Sequence, residues 1–311
     1  MSEVLLLEPV FKSMIWGGDR LKSEFGYNIP GEHTGECWAI SAHPNGDCMI
    51  GNGTYKGKSL SWLWNNHREL FGYLQGKVFP LLIKIIDAKM DLSIQVHPDN
   101  LYAASNENGS LGKTECWYIL DYPTDGKLVI GHNATDKDEL KSMIASNQWQ
   151  ELIRIKPINR GDFFQIEPGT VHAIKGGTLI LETQQCSDIT YRLYDYGRID
   201  NGKPRPLHID KSIDVIRCPY EDIQTCSGTT KLNDGEVITL ISCNYYTVKK
   251  IMLNGEQLFT QDKNFVNVSV ISGHGEIDGL KLKKGDHFIL PFNYGDYILK
   301  GNMELIISYV D

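Results

Sequence analysis

From Gly161 the chain runs Gly-Asp-Phe-Phe-Gln-Ile-Glu-Pro-Gly-Thr-Val-His172. This reads as a turn, a short strand, a tight Pro-Gly turn and a histidine opening the returning strand. Such a corner holds His172 rigidly and commits its neighbours to antiparallel β-structure. Strand-like runs rich in β-branched and aromatic residues recur at Val78 to Ile86, Leu92 to His97, Glu115 to Leu120, Lys127 to Gly131, Thr178 to Gln184 and Ile189 to Tyr194. Many short strands with Gly and Pro turns argue a sandwich or barrel, and the jelly roll is the version that houses polar sites of the kind described next. Helical spacing appears from Lys58 to Phe71, with Ser59 as N-cap, from Asp136 to Leu152, with Thr135 or Asp136 capping, and across His208 to Ile216. The expected class is therefore mainly β, two jelly-roll barrels with small helical insertions.

Side chains alternate along a strand, so Gln95 and His97 point one way while Ile94 and Val96 point the other. The same alternation puts Lys113 beside Glu115. With His172 these residues supply two imidazoles, a carboxylate and an amide oxygen, a borderline-soft set that suits zinc and admits iron, cobalt or manganese. Arg192 is set apart from the apolar Tyr191 and Leu193 and so faces polar space, while Glu182 and Gln184 share a face ten residues past His172. Lys84 interrupts an apolar strand, as an edge residue or a cleft residue.

Lys284-Gly-Asp-His-Phe-Ile-Leu-Pro291 echoes Arg160-Gly-Asp-Phe-Phe-Gln-Ile-Glu-Pro168 with one residue fewer. The copy continues Phe292-Asn-Tyr-Gly where the first has Gly-Thr-Val-His172, so a second jelly roll without metal is expected. We divide the chain into a metal-binding unit, 1–220, and a degenerate unit, 221–311, with the polar segment Pro219 to Asp234 as the link.

Lys and Arg number 31 against 39 Asp and Glu, a net charge of −8 with no basic block, which argues against nucleic acid as a partner. No apolar run approaches bilayer length, and the opening Met1-Ser-Glu-Val-Leu-Leu-Leu-Glu-Pro is too short and too acidic for a signal peptide or anchor. Seven cysteines without a Cys-x-x-Cys pair fit reduced thiols and a cytoplasmic location.

The glycine-bounded strand with Pro-Gly-x-x-His, and the upstream x-x-His strand followed by a glutamate, resemble the two metal motifs of the cupin superfamily. Within it, Gln95-Val-His97-Pro-Asp99 resembles the zinc-binding strand of type I mannose-6-phosphate isomerases. Phe79-Pro-Leu-Leu-Ile-Lys84 and Ile189-Thr-Tyr-Arg192-Leu-Tyr-Asp195-Tyr-Gly resemble two more blocks of that family, the similarity running from Trp16-Gly-Gly to about Arg198. The resemblance implies a compact bacterial form that interconverts mannose 6-phosphate and fructose 6-phosphate through a zinc-stabilised enediol or enediolate. It implies one Zn2+ per chain on Gln95, His97, Glu115 and His172, with Trp38 and Lys84 at the substrate cleft. Arg192 then binds and stabilises the enediolate or the phosphate, and Lys113 and Glu182 are unranked candidates for proton transfer, Lys113 with its pKa lowered by the metal's charge. No Gly-rich phosphate loop is present, which leaves Arg192, Lys113, Lys175 and Arg198 for the phosphate. The donor set also admits an iron cupin oxygenase or a non-catalytic sugar-binding cupin, and the oligomeric state stays open.

Overall fold

The computed structural model describes residues 3–223 and 228–311. Four layers follow from which faces are apolar. A six-stranded sheet runs in the order Phe163–Ile166, Glu115–Asp121, Thr178–Gln185, Leu81–Ala88, Val10–Gly18, Thr34–Ile40. A five-stranded sheet runs Ile153–Pro157, Lys127–His132, His172–Ile174, Ile94–Val96, Tyr191–Tyr194. These two pack face to face through Ile86, Trp117, Ile119, Ile166 and Ile180 on one side and Leu128, Ile130 and Ile174 on the other. Helices Lys137–Ala145, Trp149–Leu152 and Ile209–Val215 cover the outer face of the five-stranded sheet.

The outer face of the six-stranded sheet meets a nine-stranded sheet that holds every C-terminal strand, burying Cys116, Tyr118, Phe265, Ile271, Ile289 and Ile306 together. Because the strands of the six-stranded sheet are buried on both faces, they read as near-continuous apolar runs rather than clean alternations. Leu81–Ala88 is buried throughout, and its two charged side chains have assigned work: Asp87 accepts the Arg20 N–H at 2.8 Å, and Lys84 faces the cleft described below. Removing Ile85 to Ala in such a position costs about 2–5 kcal/mol.

The fold is mainly β with small helical insertions, as expected, but its sheets stay open and stack as sandwiches rather than closing into barrels. The N-terminal strand Leu5–Glu8 pairs with His287–Pro291 and so joins the C-terminal sheet. Ser59 caps Leu60–Asn66 through a bond from Trp62 N–H, and the helix then breaks at His67 before a 3-10 turn at Arg68–Phe71. The helix expected from Asp136 to Leu152 is two, since Asn147 sits at φ +55° and interrupts it; Asp136 is its cap. The short helix after Pro206 forms as Ile209–Val215. A helix that sequence reading passed over, Asn100–Asn106, is capped by Asp99 of the Gln-Val-His-Pro-Asp block. The expected link Pro219 to Asp234 includes 224–227, outside the described residues, and contains strand Gly228–Leu232, paired with Gly235–Ser242.

Candidate metal centre and substrate cleft

Strand register builds the site from two rows of side chains that face each other across the inner sandwich. On the six-stranded sheet, Trp38 lies opposite Lys84, Lys84 opposite Glu182, and Glu182 opposite Trp117, one row across four strands. On the five-stranded sheet, Ile130, His172, Gln95 and Arg192 form the second row. The space between holds a cleft of about 290 Å³ lined by Trp38, Lys84, Gln95, Lys113, Glu182 and Arg192 among others.

At its inner end His97, Glu115 and His172 come together, all buried, with ligand-type atoms within 4.8 Å of one another. His97 Nδ1–H donates to the Ile189 carbonyl and His172 Nδ1–H to the Thr170 carbonyl, each at 2.8 Å. Those bonds fix the tautomers and leave both Nε2 lone pairs turned inward, 3.2 Å apart. Glu115 reaches His97 Nε2 at 3.4 Å and His172 Nε2 at 3.6 Å, and among the described residues neither carboxylate oxygen has an aligned hydrogen bond. Lys113 Nζ lies 2.7 Å from Glu115 Oε2 and 3.2 Å from His97 Nε2, an ammonium set against the same donor atoms. Two facing lone pairs and a buried carboxylate without aligned donors match a divalent cation better than they match one another. Gln95 stands at the rim with its amide Nε2 3.2 Å from His172 Nε2; turning the amide end for end brings its oxygen to the cluster.

Electrostatics agree with that donor set. Burial, reinforced by the Lys113 charge, pushes the His97 imidazole down to about 3, and burial lowers His172, so both rings are neutral lone-pair donors. Burial would raise the Glu115 carboxyl, but the Lys113 ammonium beside it outweighs burial and holds it well below the carboxylate range. For Lys113, burial would lower the ammonium's pKa, but Glu115 and Glu182 outweigh it and the net shift is upward. The sequence-based expectation of a lowered value rested on a bound metal's charge, which is not among these causes. Glu182 is raised, by burial first and then by Glu115. Its Oε1 accepts Trp117 Nε1–H at 3.1 Å, while Oε2 lies 3.4 Å from Lys84 Nζ without an aligned bond.

A model of the type I phosphomannose isomerase catalytic domain matches residues 4–120, and one of the mannose-6-phosphate isomerase cupin domain matches 236–310. The chain is 51% identical to mannose-6-phosphate isomerase ManA of Bacillus subtilis (strain 168), with 99% of each chain covered. The chain belongs to the type I phosphomannose isomerase family. It is also 46% identical to a mannose-6-phosphate isomerase of Streptococcus mutans, again over 99% of both. The crystal structure of the mannose 6-phosphate isomerase from Bacillus subtilis superposes with a TM-score of 0.98 at 48% identity, covering 99% of this chain and 100% of that one. The apo form of the Salmonella typhimurium enzyme, at 17% identity and a TM-score of 0.79 with full coverage of both chains, shares the fold.

In this phosphomannose isomerase family member the cleft also contains Glu36, Lys12, Asp188 and Arg205, which sequence reasoning did not select. Glu36 was findable, since it alternates with Trp38 on one strand; it accepts the Trp38 indole N–H at 2.6 Å. Arg205 lies in an irregular segment after a short hairpin, where no periodicity marks it. Lys175 and Arg198, by contrast, do not line the cleft: Lys175 pairs with Asp91, and Arg198 with Asp195 and the Asp91 carbonyl.

Proposed function

We propose that this chain catalyses the reversible isomerisation of mannose 6-phosphate and fructose 6-phosphate, with one zinc ion held by His97, Glu115, His172 and the Gln95 amide oxygen. The observation that carries the zinc reading is the buried pair of inward Nε2 lone pairs beside a carboxylate without aligned donors. When bound, the ion would supply Lewis-acid stabilisation for negative charge on the substrate oxygens. The remaining work falls to the protein. Moving a proton between adjacent carbons needs a base at the carbon-bound hydrogen and a cation near the enediolate oxygens. Glu182, raised by burial, and Lys113 face the cleft and are the proton-transfer groups, with Glu182 the better matched because a raised carboxyl lies nearer neutral pH. Lys84, 3.4 Å from Glu182, holds that carboxylate in place, and Trp38 walls the sugar. Arg192 has a buried Nε without a hydrogen bond among the described residues and stands opposite Gln95, which suits charge that develops during reaction.

On this reading the catalytic unit is 1–220 and the second cupin unit is 221–311, and the buried free cysteines suit a reducing cytoplasm. A coupled assay on mannose 6-phosphate tests it. Activity should disappear with chelator, return with zinc, and coincide with about one zinc per chain by elemental analysis. An enzyme fully active after metal has been stripped would overturn the zinc assignment.

A further inference from the structure

The cleft is lined by five cationic side chains, Lys12, Lys84, Lys113, Arg192 and Arg205, against three acidic ones, although the whole chain carries a net −8. The two arginines differ in position and in how their donors are used. Arg192 is the cross-strand partner of Gln95 and so belongs to the reacting end. Arg205 follows the hairpin of Ile199–Asp200 and Lys203–Pro204, and its Nη1 reaches Asp195 Oδ1 at 3.3 Å. It makes no other side-chain hydrogen bond among the described residues, so most of its five N–H donors remain for a ligand.

Arg198 shares the same carboxylate but spends its guanidinium on the Asp195 carbonyl, the Asp195 carboxylate and the Asp91 carbonyl. Asp195 is itself only 4% exposed, and its second oxygen has no hydrogen-bond partner among the described residues. A buried carboxylate thus pins one guanidinium at the cleft wall while a second structural arginine anchors it from behind. Arg192 and Arg205 are near enough that, after burial, Arg205 is the largest cause lowering the Arg192 pKa, so a dianion between them relieves repulsion.

We propose that Arg205 is the specificity-determining residue for the substrate's phosphate and that Asp195 is the positioning residue that aims it. The inference rests on the isomerase reading above: the reacting carbons belong at the metal end, and the phosphate is carried on the carbon farthest from them. A guanidinium fork matches phosphate oxygens in geometry as well as charge.

The zinc-loaded enzyme tests this by steady-state kinetics with mannose 6-phosphate and with inorganic phosphate as competitive inhibitor. Arg205→Ala should raise KM roughly 10- to 100-fold, the range for one charge-assisted hydrogen bond, weaken inhibition by inorganic phosphate by a similar factor, and change kcat by no more than about threefold. Arg205→Lys should recover part of the loss. The isosteric Asp195→Asn should raise KM by less, and the double variant should be no worse than Arg205→Ala, because Asp195 acts through Arg205. A KM within about twofold of wild type in a folded Arg205→Ala or Arg205→Lys enzyme, or a fall in kcat with KM and phosphate inhibition unchanged, overturns the proposal. Wild-type enzyme inactive on mannose 6-phosphate would instead bring down the isomerase reading.

Discussion

The hairpin at Gly161 and its copy at Gly285 agree bond for bond. Gly161 N–H donates to the Ile119 carbonyl and Gly285 N–H to the Val270 carbonyl, both at 2.9 Å; Ile119 and Val270 donate back to Asp162 and Asp286, both at 3.0 Å. The carboxylates of Asp162 and Asp286 each accept a backbone N–H three residues earlier at 2.8 Å. The two glycines sit at φ +90° and +92°, a region open to glycine at little cost. That correspondence carries Glu115, opposite Ile166, onto Val266, opposite Leu290, and, counting from Pro168 and Pro291, His172 onto Gly295. Around Val266 the interior is apolar, with Val268, Val270, Phe288 and Leu290. One scaffold therefore supports either a wholly apolar interior or a buried ionic one, and the chemistry resides in a few positions that the backbone does not dictate.

The most damaging changes should be those that make the first interior resemble the second at its ligands. His172→Ala, the nearest side-chain match to Gly295, should lower zinc content and reduce activity by at least about a hundredfold, since even the outer partners of metal ligands act on that scale. Elemental analysis beside the coupled assay checks this; normal zinc with full activity would break the contrast. Exchanging the carboxylate itself comes next. Glu115→Val leaves the Lys113 ammonium buried without its nearest counter-charge, and Val266→Glu buries a carboxylate among valines; each should cost about 3–5 kcal/mol in urea unfolding of metal-free protein. Equal stability for either variant would mean that the two interiors differ less than their side chains imply.

Arg192 sharpens the comparison in another way, by asking whether the ionic interior works through the proposed zinc alone. Arg192→Ala should lower kcat by roughly 100- to 1,000-fold, as for loss of an oxyanion donor, with zinc content unchanged. If KM rises while kcat holds, Arg192 is a phosphate contact and the division of labour with Arg205 collapses.

Much of this was legible because it rested on period-two alternation and on turn chemistry. Gln95 with His97, Lys113 with Glu115, and the Pro-Gly corner before His172 are local signals, and the structure gathers His97, Glu115 and His172 into one cluster. The repeated Gly-Asp turn was legible for the same reason. What escaped was non-local. Nothing in Leu5–Glu8 announces that it pairs with a strand some 280 residues later, nothing marks Arg205 as the partner of Asp195, and the open sheets depend on strand pairings that no single run encodes. Asn147 was overlooked for a different reason, since apolar spacing continued through a residue whose backbone had left the helical region.

The smallest effect concerns His287, which stands where the first hairpin has Phe163. Its ring is 1% exposed, with Nδ1 2.8 Å from Ser269 Oγ and Nε2 2.8 Å from the Tyr27 hydroxyl, and burial pushes its pKa down to about 3. The unfolded chain takes up this proton near the ordinary histidine value of about 6.5, so the stability contributed by the neutral ring is full above that pH and is lost as pH falls toward 3. From pH 6.5 to 5.5 this ring should cost about 1 kcal/mol, because the unfolded ring is half protonated at 6.5, and the cost approaches about 1.4 kcal/mol for each further unit. Asp286 beside it is raised by burial, and its protonation on acidification acts in the opposite direction, so the wild-type slope alone is a sum. His287→Phe, which restores the residue of the first hairpin, isolates the term: Tyr27 keeps its 2.8 Å bond to the Gly285 carbonyl, and the variant's unfolding free energy should fall between pH 6.5 and pH 5.5 by about 1 kcal/mol less than the wild type's. Parallel slopes in urea unfolding across that window would mean that His287 is protonated to the same extent in the folded and unfolded states, and that the polar chain Tyr27–His287–Ser269 is wetter than its burial indicates.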